Sequence, residues 1–398
     1  MSEVSRRRFL QGAAGGGAAV AAGAIGVPAL NGDAEASPDG LLDWKGRRQA
    51  GIVTPRTDYG FVAAYDVVAD DVPRLLRDLS GRINELTQGW PDRLDPIGNE
   101  SLPPSDTGEL GYSKRDDGRL TMTLGLGASL FDRRFGLRGR RPDALKRMPS
   151  FPGDNLDPDR SHGDLLLIVQ SDHAMVTHHA VRGVMRRTKG RLQGRWAQTC
   201  FQRHTAERDG KGPNVAPAIG LLGFADGSQN IPTAASQRIF TPEGGSYVAV
   251  RLIRLKIERW DRLSRTAQED SIGRRKLDGA PLEGGREQDT PKLGKETPGD
   301  AHIRQANPRT GADSERRRFL RRGFVYNNNF DQYGLLDSGS VFLAFCRDVQ
   351  KQFEATKRRT RGQDLDEYMV AVGGGYFFCP PGVRGKGDYI GRGLVVGT

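Results

Sequence analysis

The chain has 398 residues, a length that fits two domains of ordinary size rather than one small one. Apolar residues make up 36% of it and glycine and proline number 53 and 22, which excludes a disordered chain and suits a loop-rich globular protein. The net charge of +11 fits either an anionic partner or a solvated basic surface; no arginine–aromatic motif accompanies it, so a nucleic acid is not an expected partner.

The first 36 residues read as an address. SRRRFLQG sets consecutive arginines before a Phe-Leu pair, a weakly apolar Ala/Gly run follows, and Ala34-Glu35-Ala36 supplies an A-x-A cleavage pattern. This is the layout of a twin-arginine export signal, and it places the mature protein in the periplasm or at the cell exterior. The glycine-rich run is a poor spanning helix, which argues against a membrane anchor. Cargo of this route folds before export, commonly around a cofactor.

The mature chain opens with a strand-like segment, QAGIVTPRTDYGFVAAYDVV, at 49–68. Leu75, Leu76, Leu79, Ile83 and Leu86 then recur at helical spacing. A polar loop, a strand at 119–131 and a long irregular connection follow. GDLLLIVQSD at 163–172 predicts a buried strand, 173–190 a helix and 191–203 a strand. The order β-α-β-β-α-β is the ferredoxin-like pattern.

The second half repeats it. A strand is predicted over 246–257, a helix over 258–276 and a polar surface loop over 277–300. Strands over 316–327 and 339–348, a mostly helical stretch over 349–372 and a last strand over 373–383 complete the set. The expected fold is therefore α+β, two ferredoxin-like (βαββαβ) domains, at 37–220 and 221–398.

Cys200, Cys346 and Cys379 are far apart and odd in number, which argues against a zinc site or a full disulfide framework. Six histidines are present. His173, His178 and His179 share a predicted helix at spacings that do not converge on a metal, and His162 and His204 lie in a loop and at a strand end. His302 follows the long polar loop in DAHIRQANPRT; taken alone it is either a structural histidine or a metal ligand. In LRRG, Arg321 and Arg322 point to opposite faces of a strand, so either one faces inward and needs an anionic partner or the pair is a solvated basic strand edge. Asp226, between the glycines of GFADGSQNI, is the candidate partner.

These pieces, with QAGIVTPR, FPGDNLDPDRSHGDLLLIVQSD, GSYVAVRLIRLKIERWDR, HIRQANPR and GGGYFFCPPGV in this order, resemble the dye-decolorizing (DyP-type) haem peroxidases, in their exported branch associated with bacterial iron uptake. The resemblance implies one haem b per chain, held in the C-terminal half. It makes His302 the proximal iron ligand, Asp226 of G-x-x-D-G the distal carboxylate and Arg321 the distal arginine. It puts Gly227, Arg304, Asn307 and Arg309 at the cofactor, and Glu367 behind His302 as the carboxylate that receives its second N–H. Trp196, Trp260 and Tyr326 are either core aromatics or electron relays. Hydrogen peroxide and an organic or phenolic donor are the implied partners, with iron-uptake components and a homo-oligomer. The same family implies an alternative: haem handling that releases iron from haem or oxidises ferrous iron. Ala225 and Ser228 stand where many relatives have Lys and Thr.

Overall fold

The computed structural model describes residues 42–88, 101, 104, 106–111, 117–203, 218–231 and 233–396. The export signal at 1–36 and His204 lie outside the described residues. All described residues fall within one compact unit, Gly32–Thr398.

The first half contains β1 (Tyr59–Val67), α1 (Val72–Thr87), β2 (Thr121–Gly127), β3 (Leu165–Ser171), α2 (Ala174–Arg187) and β4 (Leu192–Phe201). Helix α1 starts where Asp71 accepts a hydrogen bond from the Arg74 amide at 2.9 Å. Its leucines and Ile83 are fully buried against the sheet. Each such side chain stabilises the fold by about 1.5–3 kcal/mol. The strands run β4-β1-β3-β2, the ferredoxin-like order.

The second half carries two short strands, β5 (Ala218–Ile219) and β6 (Ala225–Asp226), then β7 (Ser246–Leu255). Four short helices follow: α3 (Ile257–Trp260), α4 (Arg265–Ile272), α5 (His302–Ala306) and α6 (Ala312–Arg316). Next come β8 (Leu320–Arg321), β9 (Phe324–Phe330), β10 (Leu336–Cys346), α7 (Ala355–Arg359), β11 (Met369–Cys379) and α8 (Arg392–Val395). Its four long strands run β9-β10-β7-β11, the same order as the first half.

Two seams join the halves. Phe201 of β4 pairs with Val325 of β9, and Phe377 and Phe378 of β11 pair with Gly127 and Leu126 of β2. The eight long strands thereby close into a ring whose inner face alternates along every strand. Val62, Leu166, Ile168, Val248, Val250, Val341, Leu343 and Phe377 form one buried cluster inside it.

Three predicted elements differ. The helix expected over 258–276 breaks into α3 and α4, because Ser264 leaves the helix and caps α4 through its side chain. The strand expected over 316–327 splits into β8 and β9 around Gly323, and both pieces pair with β10. Residues 369–372, expected at the end of a helical stretch, begin β11. That strand bulges between Ala371 and Gly373, and Gly374 sits at φ +116° where a Cβ would lie 2.0 Å from the Val250 carbonyl. The 277–300 loop is not wholly superficial, since Ala280 and Thr297 are buried. No helix among the described residues is long and apolar enough to cross a membrane.

Candidate active site

Strands and irregular segments of the second half, with Pro152, Gly153, Asp154 and Gln202 of the first, surround a cavity of about 400 Å³. Phe224, Ile253, Leu255, Phe342 and Met369 give it apolar walls, and Asp226, His302, Asn307, Arg309 and Arg321 also line it. These residues, from six separate stretches of the second half, thus meet on one void.

His302 opens α5, which Arg359 holds at its other end by donating to the carbonyls of Gln305 and Ala306 at 3.2 and 2.8 Å. Its Nδ1 lies 2.9 Å from Gln363 Oε1. Gln363 Nε2 donates in turn to Asp366 Oδ1 at 3.1 Å. This amide orientation requires Nδ1 to carry the proton, so Nε2 keeps its lone pair. Burial lowers the His302 pKa and outweighs the hydrogen bond to Gln363 that raises it. A neutral, oriented imidazole is what a metal requires. The expected partner was Glu367. Glu367 is exposed at the end of a 3₁₀ turn, while Gln363 at its start is buried and points inward.

Asp226 lies in β6, a two-residue strand paired with β5, followed by Gly227 at φ +105°. Phe224 anchors the loop from below, edge-on to Trp260 at 6.1 Å between ring centroids. Asp226 Oδ1 is 3.2 Å from Arg321 Nη2. The Asp226 side chain is 43% exposed, and that surface opens into the cavity it lines. Desolvation by the surrounding protein pushes its pKa up; Arg321, Arg56 and His302, with the Gly227 amide, overcome this and leave it lowered. The carboxylate is therefore ionised. Arg321 Nε is buried and has no partner among the described residues.

Arg322 is the inward-facing arginine of the pair. Its expected anionic partner is replaced by neutral oxygens: it donates to Gln170 Oε1 at 2.8 Å and to the carbonyls of Thr54 and Pro55 at 2.6 and 2.9 Å. Arg321, not Arg322, takes Asp226.

The cavity's rim carries Arg274, Arg309, Arg317 and Arg318. Arg309 sits at φ +61°, a strained value for a side chain of its size. Asn307 Oδ1 supports the turn by accepting from the Arg309 amide at 3.1 Å. Arg309 Nε is buried and unpartnered among the described residues. A flat apolar macrocycle with carboxylate substituents suits such a cavity, its histidine and its spare guanidinium donors. Arg304 does not reach it: its Nε donates to Pro298 O at 3.1 Å and its Nη2 to Thr297 O at 2.7 Å, pinning the preceding loop. That corrects its expected place at the cofactor, because it turns back from the helix end while His302 turns in.

Elsewhere, Trp196, Trp260 and Tyr326 are buried. His179 is fully buried beside Thr107, Glu109 and Asp106, with Nδ1 3.1 Å from Thr107 Oγ1 and 3.3 Å from Glu109 Oε1. Glu109 is also paired with Arg182, so the group is a charge-compensated network. The three cysteines are free and buried.

A ring of two ferredoxin-like halves, with a ligand-ready histidine and an ion-paired carboxylate on one arginine-rimmed cavity, defines a haem-dependent peroxidase that reduces hydrogen peroxide and oxidises organic donors. The family models for the N-terminal and C-terminal parts of Dyp-type peroxidases match residues 49–202 and 217–384. The chain belongs to the Dyp-type peroxidase family. A deferrochelatase of Shigella flexneri is 39% identical to it over 99% of this chain and 98% of the relative. Among solved structures, a DyP-type peroxidase from Cellulomonas bogoriensis is 32% identical with a TM-score of 0.78, covering 90% of this chain and 99% of that one. Ferric DtpA from Streptomyces lividans is 33% identical with a TM-score of 0.76, covering 89% of this chain and 97% of that one.

Three residues of the site were not singled out by sequence reasoning: Gln363, Asn230 and Arg56. Asn230 Nδ2 donates to Arg321 O at 2.6 Å and its Oδ1 accepts from Arg321 N at 2.9 Å. It lies four residues after Asp226 in the quoted GFADGSQNI, the one signal that could have found it.

Proposed function

We propose that this chain is exported through the twin-arginine pathway, loses residues 1–36, and works outside the cytoplasm as a peroxidase with His302, Asp226 and Arg321 in the central roles. The mature chain divides into 37–220 and 221–398. The interval between the two family matches, 203–216, falls a few residues before 220, and β5 at 218–219 pairs with β6, which favours setting the boundary ahead of β5. The observation that carries the catalytic reading is the Asp226–Arg321 ion pair on the cavity that His302 also lines.

Haem, when bound, supplies the redox chemistry. His302 would hold its iron through Nε2, and Gln363 fixes the ring. Arg309, with Arg274 beside it, would meet the carboxylates; Gly227 leaves its stretch of wall free of a side chain, and Asn307 shapes the turn. Ionised Asp226 takes the proton from one peroxide oxygen and returns it to the other, so that the O–O bond breaks with water as the leaving group. The permanent charge of Arg321 stabilises the negative charge that develops on the departing oxygen and keeps Asp226 in place. Reducing equivalents come from an organic or phenolic donor, and iron-uptake components and a second copy of the chain are the proposed protein partners.

The test is an absorption spectrum of the mature protein before and after one equivalent of hydrogen peroxide. A Soret band that shifts on peroxide and recovers with a phenolic donor supports the proposal; one indifferent to peroxide overturns it. The name of the relatives, deferrochelatase, favours a second reading in which iron is released from haem. Porphyrin fluorescence appearing when haem and protein are incubated without peroxide would favour that reading over the first.

A further inference from the structure

The segment QAGIVTPR is stitched across the site's edge from outside the second half. Gln49 donates to the carbonyls of Leu124 and Pro380 at 2.8 and 2.9 Å and accepts from Leu124 N at 2.8 Å. Gly51 O accepts from Gln170 Nε2 at 3.0 Å. Arg322 fixes the carbonyls of Thr54 and Pro55, and Arg119 donates to the Arg56 carbonyl at 2.9 Å while paired with Asp172. Every one of these bonds holds backbone or a buried amide, and together they deliver one side chain, that of Arg56. Its Nη2 donates to the Arg321 carbonyl at 2.7 Å. The same atom is the one that a Cβ on Gly227 would meet, at 3.8 Å.

We propose that Arg56, from the N-terminal half, is a positioning residue of the peroxide site: with Asn230 it clamps the peptide of Arg321, and its guanidinium stands beside the Asp226–Gly227 turn. This deepens the peroxidase reading and rests on it. Arg56 does not line the cavity, so it acts through Asp226 and Arg321 rather than on peroxide. The groups facing Asp226 are the guanidiniums of Arg321 of β8 and Arg56 of the segment before β1, and the neutral imidazole of His302 of α5. Burial lowers the Arg56 pKa and the facing Asp226 offsets this, so the two groups stabilise each other's charged forms. Two guanidiniums near one carboxylate leave a net positive site.

The sign follows. Removing the Arg56 charge raises the Asp226 pKa, so the carboxylate protonates at higher pH and the acid limb of any process that needs it moves up. The haem-loaded protein is compared as wild type, Arg56→Gln and Arg56→Lys. Gln keeps a donor for the Arg321 carbonyl without the charge; Lys keeps the charge. Two pH dependences are read between about pH 3 and 7: the rate constant for hydrogen peroxide, and the affinity of the ferric protein for fluoride, which requires no turnover. Arg56→Gln is expected to move the acid limb of the peroxide rate up by about one pH unit, about a tenfold loss at a fixed pH on the limb, and to move the pH at which fluoride affinity falls off up by the same amount, so that fluoride, an anion that the ionised carboxylate repels, binds more tightly at a fixed pH. Arg56→Lys is expected to leave them near wild type. Limbs that stay put in Arg56→Gln, or that move equally in Arg56→Lys, overturn the proposal. A wild-type protein that binds fluoride but ignores peroxide sinks the peroxidase reading instead, and the fluoride limbs still decide Arg56.

Discussion

The two halves share one strand order and differ in what covers it. In the first, α1 and α2 run for 16 and 14 residues and bury an apolar stripe against the sheet. In the second, the connection between β7 and β9 holds four short helices, the longest of eight residues, and the one between β10 and β11 holds a π-helical turn, Gln350–Glu354, that runs into the five residues of α7. Long regular helices satisfy their own backbone and leave no void. Short ones separated by capped turns leave a cavity and let single side chains be aimed into it. The cavity therefore lies mainly in the half whose helices are broken, and the other half contributes its long helices, with Arg56 reaching across to the Arg321 carbonyl.

The broadest test of that division is loss of cofactor. His302→Ala should leave haem stoichiometry near zero with the fold intact, read from the Soret absorbance and circular dichroism of the same sample; full haem retention would remove His302 as the ligand. Next in size, Asp226→Asn and Arg321→Leu should keep haem and slow the reaction with peroxide by roughly 10²–10³-fold in stopped flow. Either variant reacting at the wild-type rate would take that residue out of the mechanism. In the other half, Leu79→Ala should cost about 2–5 kcal/mol in denaturant unfolding, as a buried leucine truncation does. The folded fraction should still bind haem and react normally; a selective loss of reactivity there would break the division. The smallest effect is expected of Gln363→Leu, which frees the His302 ring: haem should dissociate on the order of tenfold faster, measured by transfer to a haem scavenger.

Much of this was legible before any coordinates. The leucine spacing of α1, the all-buried strands β2 and β3 and the βαββαβ order follow from periodicity. Asp226, Arg321 and His302 stood out as a carboxylate between glycines, a doubled arginine in a strand and a lone histidine after a polar loop. The breaks were less legible. Ser264 competes with the helix for hydrogen bonds, and the apolar 369–372 fits a helix end as well as a strand start. Glu367 is expected behind His302 only from the family pattern; in the fold it lies exposed at the end of a 3₁₀ turn, and the buried Gln363 at the turn's cap meets His302 instead.

The sequence by itself determined the duplicated strand order, the buried faces and the residue types able to do peroxide chemistry, because periodicity and turn residues are local signals. Only the tertiary structure decided which of them meet. Asp226 and Arg321 are 95 residues apart in the chain and 3.2 Å apart in space, and Arg56 lies 265 residues from the carbonyl it holds. That closeness comes from closing the strands into one ring, a non-local act that no window of sequence contains.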